Sequence, residues 1–453
     1  MEQQLLIGLI GLAALVILIA IRMPIAYSMI LVGGIGVSVI NGTDIFLAQL
    51  KNLAYSQFSI YDLSVVPMFV LMGSIATQAG LSRDLFAAAN AWLGWLRGGV
   101  AMSAIAACAG FGAVCGSSLA TASTMGQVAL PELRRYHYKE ALATGALAAG
   151  GVLGILIPPS VVLVIYAIIV EANIITMFMA ALLPGILAVI MFLITIALYV
   201  SVFPDSGPKG RAVERAEFVR VTVRVLPVVV IFGVVIGGIY AGLFDPTPAA
   251  AVGVVLVAIY GIVRGAVKLP QFKQSLFDTA RTTGMIYLIL LGAEMLKIFM
   301  ARGGVPQAMA EWMLASGLSA MTILVILMVA LILLGCLMDS LSMILLAIPF
   351  FWPVLVAVNG GDTVTAAHAA FGMTSEDLKI WFGILALILV ELGLITPPVG
   401  MNVFVISAMA PDVPMRKIFL GVVPFFVCEM FRVAILVMFP IITLWLPRLL
   451  SGH

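Results

Sequence analysis

Apolar stretches close to the thickness of a bilayer recur along the whole 453-residue chain. The clearest span residues 5–22, 24–40, 63–78, 177–203, 225–243, 249–263, 285–302, 321–337 and 419–446. A helix needs about 20 such residues to cross the hydrocarbon, where every backbone amide must find its partner within the protein. Composition agrees: 63% of residues are hydrophobic, 10% are charged and the mean hydropathy is +1.22. These values predict an all-α polytopic membrane protein. The net charge of +2 is too small and dispersed to attract nucleic acid. A second apolar run follows Arg22 almost at once, with no small-residue cleavage site between them, so the first run is expected to stay as a helix.

Two of the apolar regions carry adjacent prolines, in "ILIPPSVVLVIYA" from Ile155 and "LITPPVGMNVFVISA" from Leu394. Each proline removes a donor and costs roughly 3 kcal/mol inside a helix. A helix broken at mid-membrane leaves carbonyls free to coordinate a cation, and it points a helix N-terminus at an anion. Two broken helices are therefore expected, near residues 140–170 and 380–410.

The breaks belong to a repeat. At a shift of 222, "GSSLATASTMGQVALPEL" from Gly116 aligns with "MDSLSMILLAIPFFWPVL" from Met338, placing Ser118 on Ser340 and Pro131 on Pro353. The proline pairs stand 239 apart, and a polar insert at 359–379 accounts for the excess. The loop after Pro131 carries Arg134, Arg135 and Lys139, whereas its mate carries Asp362, Glu376 and Asp377 against a single Lys379. Basic short loops stay in the cytoplasm, so the repeats are read as inverted. The expected organisation is a first repeat over 1–203, a cytoplasmic hinge loop over 204–224 and a second repeat over 225–453.

Within each repeat, small polar residues interrupt an apolar run that then resumes. This predicts re-entrant hairpins near 99–131 and 319–353, with their turns enclosed by protein. At the second turn Asp339 replaces Ser117 of the first. A carboxylate at that depth costs roughly 2.5–3.5 kcal/mol on insertion scales, which makes Asp339 the foremost functional candidate, with a turn-capping role as its alternative. Glu391, in the half-helix leading to the second proline pair, is a further candidate. Glu294 with Lys297, and Glu429 with Arg432, have the spacing of helical ion pairs. Cys108, Cys115, Cys336 and Cys428 have neither redox nor zinc spacing, and His137, His368 and His453 are scattered. With no nucleophile–base or metal constellation and no Walker loop, neither an enzyme nor a bound cofactor is expected. The hairpin turns and breaks offer Ser, Thr, Gly and carbonyl groups, which can replace the water around sodium but cannot relay protons.

The motifs "GSSLATASTMG", "GILIPPS", "ELGLITPPVGMNVFVISAMA" and "FPIITLWLP" resemble the large membrane subunit of tripartite ATP-independent periplasmic (TRAP) transporters, over nearly the whole chain. The resemblance implies sodium-coupled import of a carboxylate-type solute across the bacterial inner membrane by an elevator mechanism. It also implies two partners, a small four-helix membrane subunit and a periplasmic substrate-binding protein, both expected as separate chains. Carried onto matching positions, one sodium site would use Ser117 or Ser118, carbonyls near the first proline pair, and Asp339. The other would use Thr396, Gly400 and backbone around Gly393 and Gly335. The solute would lie near Thr121, Ser123, Pro159 and Asn402. Where the family commonly reads "FTPTEAAA" this chain has "FDPTPAAA", with Asp245 and Pro248, which leaves the acidic position of that loop without an assigned role. The rival readings are another hairpin-type carrier working without a binding protein and, further off, a channel, which should show symmetric polar rings instead of an internal inverted repeat.

Overall fold

The computed structural model describes residues 2–21, 23–210 and 213–451. Among them no strand occurs, only an isolated bridge between Arg97 and Lys209. The chain opens with α1 (Glu2–Ala20), α2 (Ile25–Asn41), α3 (Thr43–Phe58), α4 (Val65–Gln78) and α5 (Leu81–Leu93). It continues through α6 (Gly99–Cys115), α7 (Ser118–Arg135), α8 (Glu140–Leu156), α9 (Val161–Ile169) and α10 (Ile174–Val202). The second half holds α11 (Arg215–Tyr240), α12 (Pro246–Val263), α13 (Leu269–Gly303), α14 (Val305–Ala315) and α15 (Ala320–Gly335). It ends with α16 (Ser340–Asn359), α17 (Ser375–Gly393), α18 (Met401–Met409), α19 (Met415–Met438) and α20 (Ile441–Ser451).

Seven of the described helices are long and apolar enough to cross a membrane, or up to nine if each bent pair counts as one span. The exposed faces of the apolar helices, short and long, suit a hydrocarbon solvent. On α10, Ile186, Ile190, Ile194 and Leu198 form an exposed stripe at four-residue spacing, and Met321, Val325, Val329 and Leu333 do the same on α15. Contiguous apolar faces of this kind are not left in water by a soluble protein. This is an integral membrane protein.

The helices pack in two groups. In one, α2 packs on α13, α4 on α12 and α13, and α11 on α12. In the other, α6, α7, α18 and α19 surround α8, while α15 and α16 pack on α17. Small residues permit the closest crossings. A Cβ added at Gly145 on α8 would sit 2.3 Å from the Gly421 backbone on α19, and one at Gly33 on α2 would sit 2.8 Å from the Met295 backbone on α13.

The segments expected as hairpins are the packed helix pairs α6–α7 and α15–α16, and both run further than expected. α7 continues through Pro131 to Arg135, and α16 continues through Pro353 to Asn359. A proline removes one rung of the ladder, and packing on both sides of it holds the remaining turns together. The segment expected as a hinge loop over 204–224 is helical from Arg215, the start of α11. Its first part is tied down, because Gly98 N donates to Gly207 O, Lys139 N to Ser206 O and the Tyr138 hydroxyl to Pro208 O. The last apolar run, 419–446, is two helices, interrupted at Phe439 and Pro440.

Candidate functional site

Each hairpin turns within a few residues. Gly116 at φ 64° closes the first, a left-handed conformation that a glycine adopts without strain, and Ser117 then caps α7 by accepting from Ala120 N at 3.4 Å. In the second, Asp339 caps α16, accepting from Ser342 N at 3.2 Å and from the Ser342 hydroxyl at 2.5 Å. The shift of 222 therefore aligns the two caps, Ser117 and Asp339, and the two first helical residues, Ser118 and Ser340.

Both proline pairs break their helices. α8 and α9 are bent 49° from each other across 157–160, and Ser160 caps α9, accepting from Leu163 N at 3.4 Å. The second break runs from Leu394 to Gly400, which stands at φ 65°. Asn402 N reaches back to Leu394 O at 3.0 Å, and the Thr396 hydroxyl donates to Leu392 O at 2.6 Å. The Pro158–Pro159 and Pro397–Pro398 peptide bonds are both cis.

The hairpin turns dock on the breaks. A Cβ at Gly116 would lie 3.2 Å from Pro159 O, so the first turn touches the first break. Gly335 and Gly393 are in backbone contact, a Cβ on Gly393 falling 2.4 Å from the Gly335 carbonyl carbon. Gly400 lies beside Thr396, its built Cβ 3.3 Å from Thr396 O. Ser117, Ser118, Ser123 and Asp339 line one cavity of about 620 Å³. Ser74, Thr77 and Gln78 of α4 and Asp278 and Thr282 of α13 complete its polar wall. Those five come from the other packing group, and no motif marks them in the sequence. Among the described residues, no Lys, Arg or His lines this cavity. It shares Thr77, Gln78 and Thr124 with a second cavity of about 1050 Å³, which extends past Glu132 and Arg135 to Tyr136 at the base of the first hairpin.

Thr121 and Asn402 do not line this cavity. Both are fully buried behind the cavity wall, against the glycine face of α8: a Cβ at Gly154 would meet the Thr121 hydroxyl at 2.5 Å, and one at Gly151 the Asn402 amide nitrogen at 3.0 Å. Asn402 Nδ2 donates to Ala148 O at 3.3 Å, while Asn402 Oδ1 and Thr121 Oγ1 have no partner among protein atoms.

Glu391, a candidate from its charge alone, gains its partners only in the fold. It is completely buried, and its two carboxylate oxygens each accept a serine hydroxyl at 2.5 Å, one from Ser118 and one from Ser340. A charge in an apolar half-helix was the visible signal; its two partners were not.

The two pairs expected from their spacing both form. Lys297 lies 3.5 Å from Glu294. Arg432 is bound to Glu429 and donates to Pro184 O at 3.0 Å, a buried link between α19 and α10. Beyond the helices, Arg134 grips Glu140 at 3.0 Å and Asp412 at 2.8 Å, and this guanidinium holds the Asp412 carboxyl below the usual carboxylate range.

Two packed helix pairs and two proline-broken helices around one cavity, inside a lipid-facing bundle, have the form of a membrane transporter. A solved structure, that of the Alcanivorax borkumensis YdaH transporter, has a similar fold, with a TM-score of 0.59 at 13% identity over 88% of each chain. The family is a different and closer match: the chain belongs to the tripartite ATP-independent periplasmic transporters, DctM component, which matches residues 12–442. It is 31% identical over 407 residues to the C4-dicarboxylate TRAP transporter large permease protein DctM of Pseudomonas aeruginosa, covering 89% of this chain and 91% of that one. It is 30% identical over 432 residues to the sialic acid TRAP transporter large permease protein SiaM of Vibrio cholerae, covering 95% and 96%.

Proposed function

We propose that the chain imports an organic anion across the bacterial inner membrane by sodium-coupled secondary transport. A periplasmic binding protein delivers the solute and a small membrane subunit supports the scaffold. The observation that carries this reading is the convergence of both hairpin turns on one cavity, each turn docked against a proline-made break. Relatives named for C4-dicarboxylate and sialic acid support the anionic class of solute.

Ser117, Asp339 and the Pro159 carbonyl supply hard oxygen ligands on one side; Thr396, Gly400 and the Gly335–Gly393 backbone supply them on the other. Such oxygens suit a hard cation. Among the described residues none that lines the cavity is basic, so meeting the solute's charge falls to the starts of α9 and α18 and to bound sodium. The helix group that holds both hairpins would move against the α2, α4, α11, α12 and α13 group, as an elevator does. The joined cavities correspond to an inward-open state, leading from the turns toward the basic, cytoplasmic base of the first hairpin.

The test is uptake into proteoliposomes with both partners present. Accumulation should follow an imposed sodium gradient, and carboxylates should outcompete neutral sugars and amines. Equal uptake from a proton gradient alone, in sodium-free buffer, would overturn the coupling. Competition won by amines would overturn the class of solute.

A further inference from the structure

We infer that Glu391 is a positioning residue that straps the two hairpin turns together, so that they open and close as a unit. Ser118 and Ser340 are repeat mates, each the first helical residue after its turn, and each gives its only hydroxyl proton to a different oxygen of the same carboxylate. Glu391 comes from α17, which belongs to neither hairpin. A single side chain thus spans the junction between two elements that are otherwise distant in sequence.

Among the described residues no ion pair reaches Glu391, so the two serine hydroxyls are the contacts that hold its carboxyl group. A buried polar atom left without its partner costs about 1–3 kcal/mol. Withdrawing either turn would leave one carboxyl oxygen without its donor, so displacement of one hairpin penalises the position of the other.

This inference is independent of which ion drives transport, and hydrogen exchange tests it without transport. The full chain, with its membrane partner in nanodiscs, is compared as wild type, Ser118→Ala, Ser340→Ala and Glu391→Gln. Ser340→Ala should speed exchange roughly tenfold at its own turn and also at 116–121 in the other hairpin, the scale expected for one lost buried hydrogen bond. Ser118→Ala should do the reciprocal at 338–343. Glu391→Gln keeps the size of the side chain but replaces one accepting oxygen with an amide nitrogen that cannot accept, and it should loosen at least one turn. A serine variant that loosens only its own turn would reduce Glu391 to a local contact and overturn the strap, as would a Glu391→Gln protein with both turns protected as in wild type. Failure of sodium-driven uptake, with the cross-turn effect intact, would count against the proposed function alone.

Discussion

Asp339 holds two duties in one side chain. As the cap of α16 it accepts from the backbone and hydroxyl of Ser342, and as part of the cavity wall it presents a carboxylate beside Ser117 and Ser118. Asparagine also caps helices, whereas alanine does not, and loss of a cap costs about 1 kcal/mol. Asp339→Asn should therefore insert and assemble normally but need roughly tenfold more sodium for half-maximal uptake, equivalent to about 1.4 kcal/mol of ion binding. Asp339→Ala should show the same sodium defect together with a lower melting temperature. An Asn variant with an unchanged sodium curve would leave the residue as a cap and nothing more. Thr121 is a second informative position, because its hydroxyl is buried and unpartnered. Thr121→Val replaces that oxygen with a methyl of similar size, and the variant should be as stable as wild type or slightly more so. A loss of stability above about 1 kcal/mol would show that the hydroxyl is satisfied in the working protein.

Among the elements, the second hairpin depends most on absent side chains. Gly335 and Gly393 bring the end of α15 against the end of α17 backbone to backbone. Gly393→Ala puts a methyl 2.4 Å from the Gly335 carbonyl carbon, with no flexible side chain to yield. The hairpin must shift, at the 1–3 kcal/mol typical of about one excess methyl in a packed core. Uptake should fall by at least about tenfold, with the variant still present in the membrane. The first hairpin tolerates no more. Gly112 packs on Gly154, a Cβ built on Gly112 falling 2.4 Å from the Gly154 Cα, so Gly112→Ala should give a comparable defect. Wild-type uptake from either variant would show that the close approaches are not needed for function.

Across the whole molecule, Arg134 clasps the base of the first hairpin to the turn between α18 and α19, joining the two repeats at one surface. Asp412 titrates below its ordinary value because Arg134 bonds to it. A depressed acid stabilises the folded state above its unfolded pKa of about 3.9, and that contribution is lost only as pH falls through the still lower folded value. Between about pH 6 and 8 the clasp is constant. Asp412→Asn should accordingly leave the shape of the pH profile of uptake unchanged over that range, with a rate loss within about twofold for so exposed a pair. A variant-specific change of slope in that window would mean that Asp412 titrates during transport. The buried Arg432–Glu429 pair is a different case, since removing one partner leaves the other uncompensated. Arg432→Met should be poorly inserted or unstable, as judged by the yield of folded protein.

The amino-acid order alone determined the lipid-spanning class, the two breaks and the two turns. Each rests on short-range physics: apolar runs long enough for a bilayer, prolines that remove donors, and glycine or capping residues where a helix must stop. The same local signals placed Ser117, Ser118, Asp339, Gly335, Gly393, Thr396 and Gly400 at turns and breaks, and paired Ser118 with Ser340 through the repeat. Tertiary structure decided what faces what. It put Thr121 and Asn402 behind the cavity wall, brought Ser74, Gln78 and Asp278 into that wall, and joined Ser118 to Ser340 through Glu391. The sequence separations explain the difference. Glu391 lies 273 residues from one partner and 51 from the other, and no periodicity or propensity acts over such a span. Only the tertiary packing that seats α17 on α15 and α16 and brings the start of α7 to its end places one carboxylate within reach of both serines.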